Sequence, residues 1–148
     1  MQGVVKLTPR EEVVAKRKKT TARKSARKKT TVAKTNILAG LKRAIEGRDG
    51  RTLANFYDGN AVLLIIDRDN PPSRPREIRG RAAIAAYHDD VCGRDMTHRV
   101  KSAVAEGARV AFIQDCLYPD GTKVCCATVA ELGGGKITRQ TVVQAWDG

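Results

Sequence analysis

The sequence predicts an α+β domain in which helices cover one face of a four-stranded antiparallel meander. Three observations predict it. Between Thr97 and Trp146, β-rich runs are separated by turn signals at Glu106–Arg109, Pro119–Thr122 and Gly133–Gly135. Ahead of them, apolar residues recur at helical spacing around Ile37–Ile45 and again around Ile84–Val91. Between those two segments, Ala61–Ile66 is one continuous apolar run, the mark of a covered strand.

The chain has 148 residues and a net charge of +12, unevenly spread. Residues 1–34 hold 12 Lys and Arg against 2 Glu, whereas residues 35–148 hold 16 against 14. The first segment opens on Thr8-Pro9-Arg10-Glu11, a capping-box start with Pro at the first helical position. The stretch from Lys16 to Lys29 has almost nothing to bury, so residues 1–34 read as a flexible basic arm, helical in part or when bound, ahead of a globular domain at 35–148. Lys16, Arg17, Lys18, Lys19, Arg23, Lys24, Arg27, Lys28 and Lys29 supply the charge. Such a run suits non-specific phosphate contact with nucleic acid through residues 10–34. It also suits a plain solubilising extension.

From Thr35 the elements succeed one another clearly. Ile37, Leu41, Ala44 and Ile45 form one helical stripe, ended by Gly47 and Gly50. Arg51–Tyr57 reads as a short second helix, Ala61–Ile66 as a strand, and Asp67–Glu77, with Pro71, Pro72 and Pro75, as a polar loop at the rim of an opening. A helix beginning at Gly80 presents Ile84, Tyr87, His88 and Val91 on one face. The chain has no apolar run of 18 residues and no signal-peptide pattern, which reads as a soluble cytoplasmic protein, with a nuclear or nucleoid address open through the arm.

The turns imply a register for the meander. Asp120-Gly121 suits a two-residue type I′ turn and Gly107-Ala108 a type II′ turn. Those tips set Val100 opposite Asp115, Asp115 opposite Cys126, and Cys116 opposite Cys125; with 133–135 as the third loop, Cys126 meets Val142. One face then carries His98, Val100, Ala111, Ile113, Asp115, Leu117, Cys126, Gln144 and Trp146. The other carries most of the charges beside Val110, Phe112, Cys116 and Val143. Asp115 is the sole carboxylate on the first face, the one expected to be covered. An apolar patch on the second face suggests a homodimer.

Several residues now acquire context. Phe56-Tyr57-Asp58-Gly59-Asn60-Ala61-Val62 enters the first strand, Arg79-Gly80-Arg81 precedes the third helix, and Gly135-Lys136-Ile137-Thr138-Arg139 with Trp146-Asp147 closes the chain. In order and spacing these resemble the nuclear-transport-factor-2-like superfamily, and within it the SnoaL-like proteins, over residues 35–148. The resemblance implies a cone-shaped, cystatin-like fold: a curved antiparallel or mixed sheet wrapped around the helices, with an apolar pocket at one end. Its members include ketosteroid isomerases, polyketide cyclases, epoxide hydrolases and non-catalytic binding or dimerisation modules, so it implies a cavity and not a reaction. The isomerase-like pattern places a base Asp just inside the first strand, where Ala61–Ile66 has no carboxylate.

The candidate site residues come from the register. An unpaired carboxylate on a covered face is costly, so Asp115 needs a partner, and His98 on the neighbouring strand is its nearest titratable group. The two are candidates for acid–base chemistry, or for a structural pair. Tyr57, Tyr87, His88, Gln144 and Trp146 are candidate pocket walls or plain core. Cys92, Cys116, Cys125 and Cys126 have no zinc or redox spacing and read as reduced thiols. Gly134-Gly135-Lys136 lacks the flanking Gly and Ser/Thr of a phosphate loop, so neither metal nor cofactor is expected. Two functions stand side by side: a pocket that binds, isomerises or cyclises a small, largely apolar molecule, and a dimerisation module whose arm holds nucleic acid.

Overall fold

A computed structural model of the chain describes residues 36–148. The arm at 1–34, its nine cationic candidates included, lies outside them. The described elements begin with helix α1 (36–46) and continue with α2 (Gly50–Ala54), β1 (Tyr57–Ile66), β2 (Arg76–Arg79) and α3 (Arg81–Gly93). The meander comes next as β3 (Thr97–Glu106), β4 (Arg109–Leu117), β5 (Lys123–Gly133) and β6 (Lys136–Trp146). The six strands form one curved, open, mixed sheet in the order β2-β1-β6-β5-β4-β3. Its only parallel pair is β1 with β6, so the first long strand and the last lie side by side.

The expected α+β architecture is present, with two local differences. Arg51–Tyr57 does not continue as a helix: α2 stops at Ala54, and Tyr57 already opens β1, opposite Ile137. The rim loop is also shorter than its polarity suggested, because Arg76–Arg79 pairs antiparallel with β1. Ala61, Leu63 and Ile65 are buried on one face of β1, while Val62, Leu64 and Ile66 are only partly covered on the other.

Helix ends are fixed by local chemistry. After α1, Arg48 adopts φ 55°, its N–H donating to Ile45 O and that of Asp49 to Ala44 O, which closes the helix in a Schellman turn. Asp49 then caps α2 by accepting from Thr52 N–H (3.0 Å) and from the Thr52 hydroxyl (2.6 Å). The Arg48 side chain reaches the far end of α3, donating to Cys92 O (3.0 Å) and Arg94 O (2.6 Å). One residue thus ties the ends of two helices together.

The meander's register differs from the expected one. The Pro119–Gly121 loop holds three residues, not two: Gly121 N–H donates to Tyr118 O and Tyr118 N–H to Thr122 O, and of Asp120 and Gly121 only the glycine has positive φ. In β3 the pairing slips between Lys101 and Val104, where Ser102 sits at φ 50°, a bulge of two residues opposite one. Val100 therefore faces Gln114, and Asp115 faces Arg99 and Cys125. Each slip of one residue moves a whole strand to the other face. In consequence β4 buries Val110, Phe112 and Cys116, and turns Asp115 outward. Cys116 stands opposite Val124; Cys125 is exposed on the other face, so the expected 116/125 neighbours are separated. The third turn is the two-residue Gly134-Gly135, both with positive φ, and Cys126 pairs with Gln144 instead of Val142. Parity in β6 is preserved there, and Gln144 and Trp146 share the face of Cys126 as expected.

The core lies between the helices and this inner face. Leu41, Ala44, Ile45, Leu53 and Ile84 join Tyr57, Leu63, Ile65, Val110, Phe112, Ile137 and Val142 in one cluster. Burying each large side chain contributes about 1.5–3 kcal/mol. Three of the four residues behind the expected dimer patch, Val110, Phe112 and Cys116, belong to this core. The fourth, Val143, is exposed on the outer face, as are Val104, Leu117 and Val129.

Candidate functional site

The inner face of the sheet does not pack completely against the helices. It leaves a cavity of about 310 Å³, walled by Leu41, Ile45 and Leu53 from α1 and α2, and by Phe112, Val124 and Val142 from the sheet. Volumes near 300 Å³ suit a small molecule. The cavity's polar groups fall into three clusters.

The first is a chain across β1, α3 and β6. Tyr57, at the start of β1 and 1% exposed, places its hydroxyl 2.9 Å from His88 Nε2 and 2.5 Å from Gln140 Oε1. The single phenolic proton goes to Gln140 Oε1, so His88 carries its proton on Nε2 and donates it to the Tyr57 oxygen. Burial pushes the Tyr57 phenol well above its ordinary value, the nearby Tyr87 adding to it. Burial also pulls His88 down to about 4, against the opposing pull of Asp89. Near neutral pH both groups are uncharged, and each is held in one orientation.

The second cluster lies across β3, β4 and β5. His98 is directly opposite Cys116 in the ladder, and its Nδ1 lies 3.2 Å from Cys116 Sγ. The Gln114 amide nitrogen lies 3.0 Å from that Nδ1 and donates to Sγ over 3.3 Å. Cys126, opposite Gln114, completes the group. Hydrogen bonds to Cys116, from Cys126 first and then from His98 and Gln114, outweigh burial and hold its thiol well below the ordinary range. The same neighbour and burial push Cys126 up. His98 Nε2 is buried and has no hydrogen-bond partner.

The third cluster is the mouth. Arg68 lies 4.7 Å over the Trp146 ring, and Tyr118 stacks on that ring from 6.0 Å. Arg76 sits 5.6 Å over Tyr87, whose phenol burial pushes up to about 12. Arg94 pairs with Asp90 at 2.6 Å and reaches the Tyr118 hydroxyl at 3.4 Å. Asp67, at the end of β1, accepts from Asp69 N–H and from both the N–H and the side-chain amide of Asn70; these bonds hold it low against the opposing effect of partial burial.

Of the sequence-based candidates, Tyr57, Tyr87, His88, His98, Gln144 and Trp146 all line this cavity. Asp115 does not. It lies on the outer face, about two-fifths exposed, and forms an ion pair with Lys101. The carboxylate expected at the polar focus is thus a solvated surface group, and His98 faces a cysteine in its place. Sequence reasoning missed Gln114, Cys116, Cys126 and Gln140. A signal for the first two was present: placing the even positions of β4 inward buries Phe112 and exposes Arg109 and Asp115. Among the described residues, no group of three or more His, Cys, Asp and Glu is arranged to hold a metal ion, and no helix is long and apolar enough to cross a membrane.

No protein-family model matches the chain, and no curated protein does. Solved structures do. A candidate ketosteroid isomerase from Kribbella flavida superposes with a TM-score of 0.65 at 16% identity, covering 78% of each chain. An NTF-2 like protein of unknown function from Burkholderia xenovorans gives 0.66 at 19%, over 79% of this chain and 84% of that one. IdmH, a candidate polyketide cyclase from Streptomyces antibioticus, gives 0.56 at 21%, over 74% and 90%. At these identities the likeness establishes the fold alone, one shared with nuclear-transport-factor-2-like proteins.

Proposed function

We propose that the domain binds a small, flat, largely hydrocarbon molecule inside the cavity, oriented by one or two oxygens. The observation that carries this reading is the cavity itself: about 310 Å³ with mixed apolar and polar walls and a fixed Tyr57–His88–Gln140 chain in its lining. Such a pocket gains affinity from apolar burial and specificity from a few oriented polar groups. Gln114, Thr128 and Gln144 offer further amide and hydroxyl partners from the same lining. The rings of Trp146 and Tyr87, each under an Arg, form a flat-sided entrance.

The polar focus of the cavity is the Tyr57–His88–Gln140 chain, not Asp115. A neutral His88 donates to Tyr57 while Gln140 accepts from the phenol, so all three groups are held in place. A carbonyl oxygen beside this chain would find the Gln140 amide nitrogen, a donor that is neutral at pH 7. The binding reading does not depend on turnover.

Trp146 is the chain's only tryptophan, so its fluorescence reports on the mouth. Titration with 2-naphthol and 1-tetralone is expected to quench it saturably. In Val142→Phe, which fills the cavity from β6, saturable quenching should disappear while the far-UV circular dichroism is retained. Equal affinity in the filled variant would place the ligand elsewhere and overturn the reading.

A further inference from the structure

The cavity wall contains chemistry that neither the fold nor the binding reading uses. Cys116 and His98 are direct cross-strand neighbours with Sγ and Nδ1 3.2 Å apart, and the Gln114 amide holds both. All three line the cavity together with Cys126. A sulfur nucleophile, an imidazole within hydrogen-bonding distance and a third group that orients them make an activated-nucleophile arrangement. The ordinary structural reason for a buried histidine is weak here. Its outer nitrogen, Nε2, is buried without a partner, a state that destabilises a folded protein.

We infer that Cys116 is a nucleophile of the cavity, with His98 as its proton partner, and that it adds covalently to an α,β-unsaturated carbonyl compound bound there. The inference rests on the cavity being a ligand site. In the addition, the Sγ–carbon bond forms at the β-carbon as the carbon–carbon π bond breaks. The thiol proton passes to His98 Nδ1 along the 3.2 Å contact and is delivered to the α-carbon. Nothing is oxidised or reduced, so no co-reactant is needed. A Cys116–Cys126 disulfide, by contrast, would require an oxidant. The hydrogen bonds that lower the Cys116 thiol favour the attacking thiolate, and they come from Cys126, His98 and Gln114, the groups that face it.

The test uses the full chain with 2-cyclohexen-1-one, and with cyclohexanone as the unreactive control. Sites of addition are mapped by peptide mass spectrometry, with free N-acetylcysteine in the same tube. Buried Cys116 is expected to react before exposed Cys125, and the adduct to vanish in Cys116→Ser. Between pH 8 and pH 6 the Cys116 rate should stay within about threefold, while the free thiol slows about tenfold per pH unit. His98→Gln, folded by Trp146 fluorescence, should make the dependence steeper and slow labelling at pH 6 severalfold. A merely structural His98 would leave that profile unmoved. If Cys125 reacts first, or the Cys116 profile parallels the free thiol, the inference is overturned. Saturable quenching by 2-naphthol without a Cys116 adduct would overturn it while leaving the binding reading intact; loss of both would overturn both.

Discussion

The Tyr57 hydroxyl lies 2.9 Å from His88 Nε2, joining the first strand of the sheet to α3 at the wall of the cavity. Removing that oxygen in Tyr57→Phe leaves Gln140 Oε1 and the His88 proton without their partner. The expected loss is about 1–3 kcal/mol of stability, read as a lower urea midpoint at an unchanged slope. Ligand quenching of Trp146 should weaken as well. An unchanged midpoint would mean that the chain is not formed in solution.

His88 makes stability depend on pH in a defined direction. Burial lowers its folded-state value to about 4 from 6.5, so between those values the unfolded chain binds the proton and the folded one does not. Stability is fully present above pH 6.5, falls as the pH drops towards 4, and loses up to about 3 kcal/mol over that window. In His88→Phe this slope should flatten. Denaturation midpoints from pH 4.5 to 7.5 check it.

Arg48 holds two carbonyls at the end of α3 from a backbone conformation that favours glycine. Arg48→Ala keeps the positive φ and loses both bonds, with an expected cost of about 2–3 kcal/mol. Arg48→Gly loses the same bonds but relieves the backbone, and should be about 1 kcal/mol more stable than the alanine variant. Thermal midpoints that order the two variants the other way would contradict this account.

Asp115→Asn removes an exposed ion pair with Lys101 and nothing in the cavity. Exposed pairs contribute about 0–1 kcal/mol, so stability should change by less than that. Affinity for 2-naphthol should not change. A large loss of binding would return Asp115 to the site.

The basic arm is proposed to contact nucleic acid without sequence preference. Affinity of the full chain for duplex DNA is expected to fall steeply with salt, and that of residues 35–148 to be far weaker. Neutralising Lys16, Arg17, Lys18 and Lys19 together should reduce both the affinity and the salt slope. An unchanged slope would remove the arm from any such contact.

By itself the sequence determined the order and type of the main elements. Apolar period and turn chemistry are local, and Ile37–Ile45, Ile84–Val91 and the three glycine-bearing turns carry them in full view. It also placed six cavity residues, because His98, Gln144 and Trp146 kept their parity and Tyr57, Tyr87 and His88 sit where helices and first strand meet the sheet. Tertiary structure alone decided what His98 faces. A third residue in the Pro119–Gly121 loop and a bulge at Ser102 each slip the pairing by one, and together they turn β4 over between its neighbours. Alternation along a strand fixes which residues share a face, but not which face is covered; that choice comes from burying Phe112 and Val110 against the helices while Arg109 and Asp115 stay in water. The same turn of one strand moves a carboxylate out of the cavity and brings a thiol in.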